Sequence, residues 1–134
     1  MYTGYFALLK HYDAAGLVPV AICGKVPEWY NGTRYSALAP RYGFFHEWKD
    51  GSHRGDNDWY VERFHDEVLS QLVPQKVLDD LKEMCPDLDR IVLLCYEKPS
   101  DFCHRHLVAK WFRDNGTNCT EYIPEIEFRG SEFI

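Results

Sequence analysis

Chemically active side chains are concentrated in one stretch of the sequence, residues 95–105 (Cys-Tyr-Glu-Lys-Pro-Ser-Asp-Phe-Cys-His-Arg). Cys103 is a candidate nucleophile, because a thiol near a helix N-terminus has a lowered pKa and forms a thiolate. Glu97 is a candidate acid/base or acceptor for a ribose hydroxyl, although it is equally suited to an ion pair with Lys98 or Arg105. Glu97 and Cys103 are therefore the candidate catalytic residues.

The same stretch predicts an anion-binding site. Ser100 is expected to cap a helix from about Asp101 to Asp114, and the free amides and positive dipole end of a helix start favour a negative ligand. His104 and Arg105 lie within a turn of that start, and the planar fork of Arg105 matches a phosphate or carboxylate. We expect Arg105 to be partly exposed. The alternative is a helix start held by ordinary salt bridges.

The helix geometry weighs against catalytic roles for Cys103 and His104. On a helix that begins near residue 101, Cys103 shares one face with Leu107 and Trp111, so it is as well suited to be a small buried hydrophobe as a nucleophile. His104 points about 100° away from Cys103 on such a helix, which places it poorly for deprotonating that thiol.

A metal site is not predicted from the spacing. A zinc site could draw on Cys95, Cys103, His104 and His106, but the sequence contains no Cys-x-x-Cys pair. His104 and His106 also cannot share a helix face. We expect no metal and no cofactor.

The pattern of elements predicts an α/β fold. Residues 91–96 (Ile-Val-Leu-Leu-Cys-Tyr) have no polar face, as expected of a central parallel strand covered on both sides. Further strands are predicted at 2–5, 17–23 and 119–123, and helices at 6–13, 56–72, from Pro74 onward, and at 101–114. The alternation indicates a small Rossmann-like domain, residues 1–134, with a mainly parallel sheet of about four or five strands flanked by helices. Ligands bind such sheets beyond the carboxyl ends of the strands.

A long segment, residues 24–55, shows no periodicity and is predicted to be a functional loop. Its aromatic residues, Trp29 and Tyr30 among them, either stack on a planar ligand or cover a small core. Arg34 and Arg41 are its candidate anion contacts. The candidate ligand-binding residues of the whole chain are Gly4, Lys25, Trp29, Tyr30, Arg34, Cys95, Ser100, His104 and Arg105.

Composition limits the partners of the domain. The formal net charge of -6 disfavours nucleic acid, except through local contacts, and acidic membrane surfaces. The five cysteines are odd in number and irregularly spaced, which is typical of free thiols in a reducing compartment. No export signal or membrane-length apolar run is apparent, so we expect a cytoplasmic protein. The expected partner is a small anionic ligand. The sequence leaves the oligomeric state open.

The chain resembles the domain of unknown function 488 family along nearly its whole length. The resemblance rests on Tyr2-Thr3-Gly4, on residues 27–32 with Trp29-Tyr30-Asn31-Gly32, and on Leu38-Ala39-Pro40. Its most specific part is residues 94–98 (Leu-Cys-Tyr-Glu-Lys) with residues 103–109 (Cys-His-Arg-His-Leu-Val-Ala). The resemblance implies an α/β fold with Cys-x-Glu and Cys-His-Arg signatures, in bacterial, archaeal and phage proteins without an assigned reaction. Similar members often carry an Arg after the second strand, where this chain has Lys25, which is not an equivalent donor.

These observations support three functional hypotheses. The first is an intracellular enzyme, or enzyme-like domain, that binds a phosphate-bearing small molecule such as a nucleotide or a modified base at the 95–105 junction. The second is a non-catalytic binding module or metal-stabilised adaptor that uses the aromatic loop 24–55. The third is thiol redox chemistry between Cys95 and Cys103, which requires the two alpha carbons to lie less than about 7 Å apart.

Overall fold

The computed structural model describes residues 1–124, which form an α/β fold around a parallel sheet of five strands. The strands are β1 (Tyr2–Tyr5), β2 (Val18–Ala21), β3 (Thr33–Arg34), β4 (Ile91–Cys95) and β5 (Thr120–Glu121), in the order β3-β2-β4-β1-β5. Every pairing is parallel. The predicted Rossmann-like architecture is confirmed, and β4 is central and buried along its whole length, as its apolar run predicts.

Helices cover both faces of this sheet. They are α1 (Leu9–Ala14), α2 (Tyr42–Lys49), α3 (Asn57–Glu67), α4 (Pro74–Met84) and α5 (His104–Asp114). Because side chains alternate along a strand, β4 divides its residues between two cores. One face packs with residues of α2, α3, α4 and α5, and the other packs with Tyr12 of α1 and with Phe6. Within residues 1–124, no helix is both long and apolar enough to cross a membrane.

The segment 24–55 is not the structureless loop that its composition predicts. It contains β3, a 3-10 helix at Ser36–Leu38, and the two-turn helix α2. Phe44 of α2 is buried against Tyr60 and Phe64 of α3, with ring centroids 5.3 and 6.4 Å away. This tertiary packing stabilises a helix that the local sequence, with glycine at position 43, does not favour.

The predicted helix at 56–72 is shorter than expected. Asp56 is its N-cap residue, and the Asp56 carboxylate accepts a hydrogen bond of 3.1 Å from the Trp59 amide. However, α3 ends at Glu67, and a separate 3-10 helix follows at Leu69–Gln71.

Helix α5 begins at His104, three residues later than predicted, and Ser100 does not cap it. The Asp101 amide instead donates to the Lys98 carbonyl at 3.0 Å, which closes a turn. Phe102 then packs against Trp48 and Tyr60, with centroid distances of 5.5 and 5.1 Å. With this ring packed, the helix does not begin until after Cys103, which is extended and becomes the N-cap residue.

The buried face of α5 also differs from the prediction. Leu107 and Trp111, which were expected to pack on the sheet with Cys103, are only partly buried. The buried residues of the helix are His104, Arg105, Val108, Ala109 and Phe112. The predicted face was wrong because it assumed that Cys103 belongs to the helix.

Candidate functional site

The carboxyl ends of the central strands meet at one edge of the sheet, as predicted. The register aligns Tyr5 of β1 with Cys95 of β4, and Ala21 of β2 with Leu94. A cavity of about 600 Å³ opens at this edge. Its lining residues are Cys23, Gly24, Lys25, Pro40, Tyr42, Phe45, Lys49, Cys95, Tyr96, Glu97 and His104.

Two cysteines and a histidine form a compact buried cluster beside this cavity. The Sγ atoms of Cys95 and Cys103 and a ring nitrogen of His104 all lie within 4.8 Å of one another. Within residues 1–124, this is the one group of three cysteine, histidine or acidic side chains placed to share a metal ion. Cys95 ends the central strand and the other two residues begin α5, so the turn at 96–102 brings them together.

The ring of His104 is held in a defined orientation. Its Nε2 lies 2.7 Å from the carbonyl oxygen of Ile22. A carbonyl oxygen can only accept a hydrogen bond, so Nε2 carries the proton, and in the neutral ring Nδ1 keeps its lone pair. Cys95 Sγ lies beside the ring, 3.8 Å from Nδ1 and 3.9 Å from Nε2.

The two thiols of the cluster differ in acidity. The pKa of Cys103 is lowered, chiefly because the Cys95 thiol donates a hydrogen bond to its sulfur, with a further contribution from His104. The pKa of Cys95 is raised by burial and by its neighbour's charge. The interaction of His104 with Cys103 corrects the sequence-based expectation. As an N-cap residue with φ -154° and ψ 141°, Cys103 does not follow the helical rotation that separates adjacent side chains.

Glu97 lies on the cavity wall, two residues beyond the end of β4. Although the residue as a whole is exposed, the surrounding protein removes enough water from its carboxyl to raise its pKa. The negative charge of Cys103 and a hydrogen bond with it raise that pKa further. Glu97 therefore favours its protonated form more than a free carboxylic acid does.

Arg105 is fully buried, so the expectation of a partly exposed guanidinium was wrong. Its Nε and Nη2 donate to the two carboxylate oxygens of Glu121 at 3.0 and 3.1 Å, and Nη1 donates to the Glu97 carbonyl at 2.6 Å. Thr3 Oγ1 completes the network by donating to Glu121 at 2.7 Å. The fork predicted for an external anion is occupied by a carboxylate of the protein itself. Binding of a ligand anion by Arg105 requires displacement of Glu121.

Other predicted ligand-binding residues lie in varied surroundings. Lys25 is exposed on the cavity wall. Tyr30 is buried, and its hydroxyl donates to the Thr33 carbonyl at 2.6 Å. Trp29 is 61% exposed and contacts Phe6 edge-on. Neither aromatic residue lines the cavity, so their predicted stacking on a ligand there receives no geometric support.

The remaining candidates are Arg34, Ser100 and Gly4. Arg34 is exposed and donates to the Gly24 carbonyl at 3.2 Å, and Ser100 is exposed in the turn before α5. Gly4 is buried in β1 against Tyr12. A Cβ atom at position 4 would overlap the Tyr12 hydroxyl, which explains the glycine by packing.

Sequence reasoning missed the contribution of α2 to the cavity. Tyr42, Phe45 and Lys49 all line it. Their i, i+3, i+7 spacing is the signature of one helix face, but it can be used only once residues 42–49 are known to be helical. Glu121 was also missed, because nothing in the sequence connects it with Arg105.

The family comparison agrees with the resemblance drawn from the sequence motifs. The DUF488-N3a family model, described as the active DUF488-N3 subclade, matches residues 9–116. The chain belongs to the DUF488 family. The matched range includes Cys95, Glu97, Cys103 and His104, whereas Glu121 lies beyond its end. No curated protein and no solved structure matches the chain.

Proposed function

We propose that this DUF488 protein is an enzyme that binds a small phosphate-bearing molecule, a nucleotide or a modified base, in the cavity at the carboxyl edge of the sheet. The observation that carries the proposal is the composition of the cavity wall, which combines two lysines, exposed aromatic rings and Glu97. Its volume of about 600 Å³ suits a ligand of nucleotide size. The edge itself is where parallel α/β sheets bind their ligands.

Lys25 and Lys49 supply the positive charge that a phosphate needs. They come from different elements: Lys25 follows β2, and Lys49 is the last residue of α2. In the described part of the chain neither is engaged in an ion pair, in contrast to Arg105. Two lysines without a carboxylate partner are available to an incoming anion, so we assign them the phosphate role that the sequence favoured for Arg105.

Aromatic rings on the same wall support a planar ligand. Tyr42 is 79% exposed and Tyr96 is 47% exposed, and both line the cavity. Exposed rings of this size beside a cavity are typical of ligand contacts, because a flat base or sugar buries them on binding. This role belongs to different residues from the Trp29 and Tyr30 of the sequence-based hypothesis.

Glu97 is the proton donor or acceptor in this proposal. Glu97 is part of the cavity wall, and general acid/base catalysis requires that proximity to the ligand first of all. Cys103 is the second catalytic candidate. It does not itself line the cavity, whereas Cys95 and His104 do, so direct attack by its sulfur on a ligand stays a prediction.

Thermal unfolding with a panel of nucleoside mono-, di- and triphosphates tests the proposal. A bound nucleotide should raise the Tm, and Lys49→Gln should weaken binding by about 10-fold, since a charge-assisted hydrogen bond contributes roughly 1.5 kcal/mol. Lys82→Gln, an exposed change on α4, is the matched control and should bind as the wild type does. Equal binding by the two variants, or no shift with any nucleotide, would overturn the proposal.

A further inference from the structure

We propose that Cys95, Cys103 and His104 form a binding site for a thiophilic divalent ion of the zinc type, with its fourth position directed to the cavity. This inference goes beyond the proposed function, since it does not depend on which ligand the cavity takes. It also reverses the expectation drawn from spacing alone, which predicted no metal.

The separations of the three donor atoms are close to those of a tetrahedral site. With metal–sulfur bonds of about 2.3 Å and metal–nitrogen bonds of about 2.0 Å, tetrahedral angles place sulfur and nitrogen about 3.5 Å apart and two sulfurs about 3.8 Å apart. The distance from Cys95 Sγ to His104 Nδ1 is 3.8 Å, and no pair in the cluster exceeds 4.8 Å. The three donor atoms therefore lie within about 1 Å of the separations that one shared ion requires.

The orientation of His104 is that of a metal ligand. A histidine that binds a metal through one ring nitrogen nearly always donates the other N–H to a carboxylate or a backbone carbonyl. Here Nε2 donates to the Ile22 carbonyl, which leaves the lone pair of Nδ1 available to an ion, and the ring lies beside Cys95, with Sγ 3.8 Å from Nδ1 and 3.9 Å from Nε2. Ile22 is itself fixed, because its amide donates to the Leu94 carbonyl at 3.0 Å. The carbonyl that orients His104 is thus anchored to the central strand.

The chemistry of the donor set selects the kind of ion. Two sulfurs and one imidazole nitrogen are soft or borderline donors, which favour Zn²⁺ and related ions over Mg²⁺ or Ca²⁺. All three side chains are buried, with Cys95 1% and Cys103 5% exposed. A divalent cation bound by both sulfurs would displace their protons, and its charge would stabilise the resulting thiolates, since the nearby Arg105 is already paired with Glu121.

Three protein ligands leave the fourth position of a tetrahedral ion open, which distinguishes catalytic from structural zinc sites. Cys95 and His104 both line the cavity, so an ion held by the cluster borders the space where a ligand binds. Glu97 lies on the same wall and interacts with Cys103. An ion in this position would act as a Lewis acid on a bound oxygen, next to a carboxyl that can transfer protons.

Titration of the metal-free, reduced protein with Zn²⁺ and Co²⁺ tests the inference. We expect one equivalent of Zn²⁺ to bind, as measured by competition with a chromophoric chelator. Co²⁺ should give a sulfur-to-cobalt charge-transfer band and the intense visible bands of tetrahedral coordination. Cys95→Ser and Cys103→Ser should each lower the affinity at least about 100-fold and weaken the charge-transfer band. Cys85→Ser and Cys119→Ser, which change buried free thiols outside the cluster, should have no effect.

A second measurement on the wild type avoids any variant that fails to fold. Zn²⁺ should protect Cys95 and Cys103 from slow alkylation, mapped by mass spectrometry, and should leave the labelling of Cys85 and Cys119 unchanged. Absence of stoichiometric binding, equal losses in the cluster and control variants, or protection spread over all cysteines would overturn the inference. Nucleotide shifts retained by the metal-free protein would show that the proposed function holds even where the metal site fails.

Discussion

His104 and Arg105 are neighbours in the sequence, yet they begin two buried polar clusters of opposite character. Arg105 belongs to a cluster in which the donors and acceptors are matched. Its guanidinium donates to both carboxylate oxygens of Glu121, and the Thr3 hydroxyl donates to the same carboxylate. His104 belongs to a cluster with the sulfurs of Cys95 and Cys103, in which Nε2 donates to a carbonyl and Nδ1 keeps its lone pair. Arg105 and His104 are both buried, whereas the Glu121 carboxylate remains partly exposed.

The difference shows that burial of a polar group does not by itself indicate function. A buried ion pair with full hydrogen bonding is stable only while both partners are present, and it has little capacity left for a ligand. A cluster that keeps soft donors beside a cavity retains that capacity. We therefore expect changes in the Arg105 cluster to affect folding, and changes around His104 and Glu97 to affect binding and chemistry.

The largest expected effect comes from breaking the Arg105 cluster. Glu121→Ala removes the carboxylate and leaves a guanidinium buried without its counter-charge, which should destabilise the protein by about 3–5 kcal/mol. Urea denaturation of the variant measures this loss. Asp114→Ala, which removes the partner of Lys110 from an exposed ion pair, is the control and should cost less than about 1 kcal/mol. If the two variants were equally stable, the Arg105–Glu121 ion pair would not contribute to folding as we expect.

The second effect should appear in chemistry and not in stability. Glu97→Gln preserves the shape of an exposed side chain on the cavity wall but removes its ability to transfer a proton. Once a turnover assay exists, the variant should lose about 100-fold in kcat while its ligand-induced Tm shift stays close to that of the wild type. Glu28→Gln, also exposed but absent from the cavity wall, serves as the control.

The result for Glu97 also separates an enzyme from a binding module. Normal turnover in Glu97→Gln would exclude the acid/base role. A loss of stability without any change in ligand response would instead make Glu97 a structural residue, like Arg105.

The helices and strands predicted correctly from the sequence are those that their own residues specify, without contacts to distant segments. Residues 91–95 are apolar at every position, so a central strand follows from the segment itself, whatever surrounds it. Pro74 at the first turn of α4 marks that helix start in the same way. By contrast, α2 depends on the contact of Phe44 with α3, and a contact between distant segments leaves no trace in the local pattern.

The structure brings Cys95, Cys103 and His104 together within the stretch that the sequence singled out, but their mutual arrangement was not predictable from it. Cys103 leaves the helical pattern because Phe102 packs against Trp48 and Tyr60, and this brings the thiol into contact with His104. Arg105 was assigned to a ligand because its carboxylate partner, Glu121, lies on β5, outside the 95–105 stretch. In both cases the deciding contact is tertiary.

The smallest expected effect distinguishes two glycines that lie near this same edge of the sheet. Gly4 was a predicted ligand contact, but a Cβ atom there would overlap the hydroxyl and Cζ of Tyr12, whose ring is fully buried. Gly4→Ala should therefore destabilise the protein by about 1–3 kcal/mol through overpacking. At Gly24, on the cavity wall, a Cβ atom meets nothing within 4 Å, so Gly24→Ala should leave stability nearly unchanged. Thermal and urea unfolding of the two variants measure the difference. If Gly4→Ala were as stable as Gly24→Ala and lost only ligand binding, Gly4 would belong to the functional side of the comparison, and the packing explanation would be wrong.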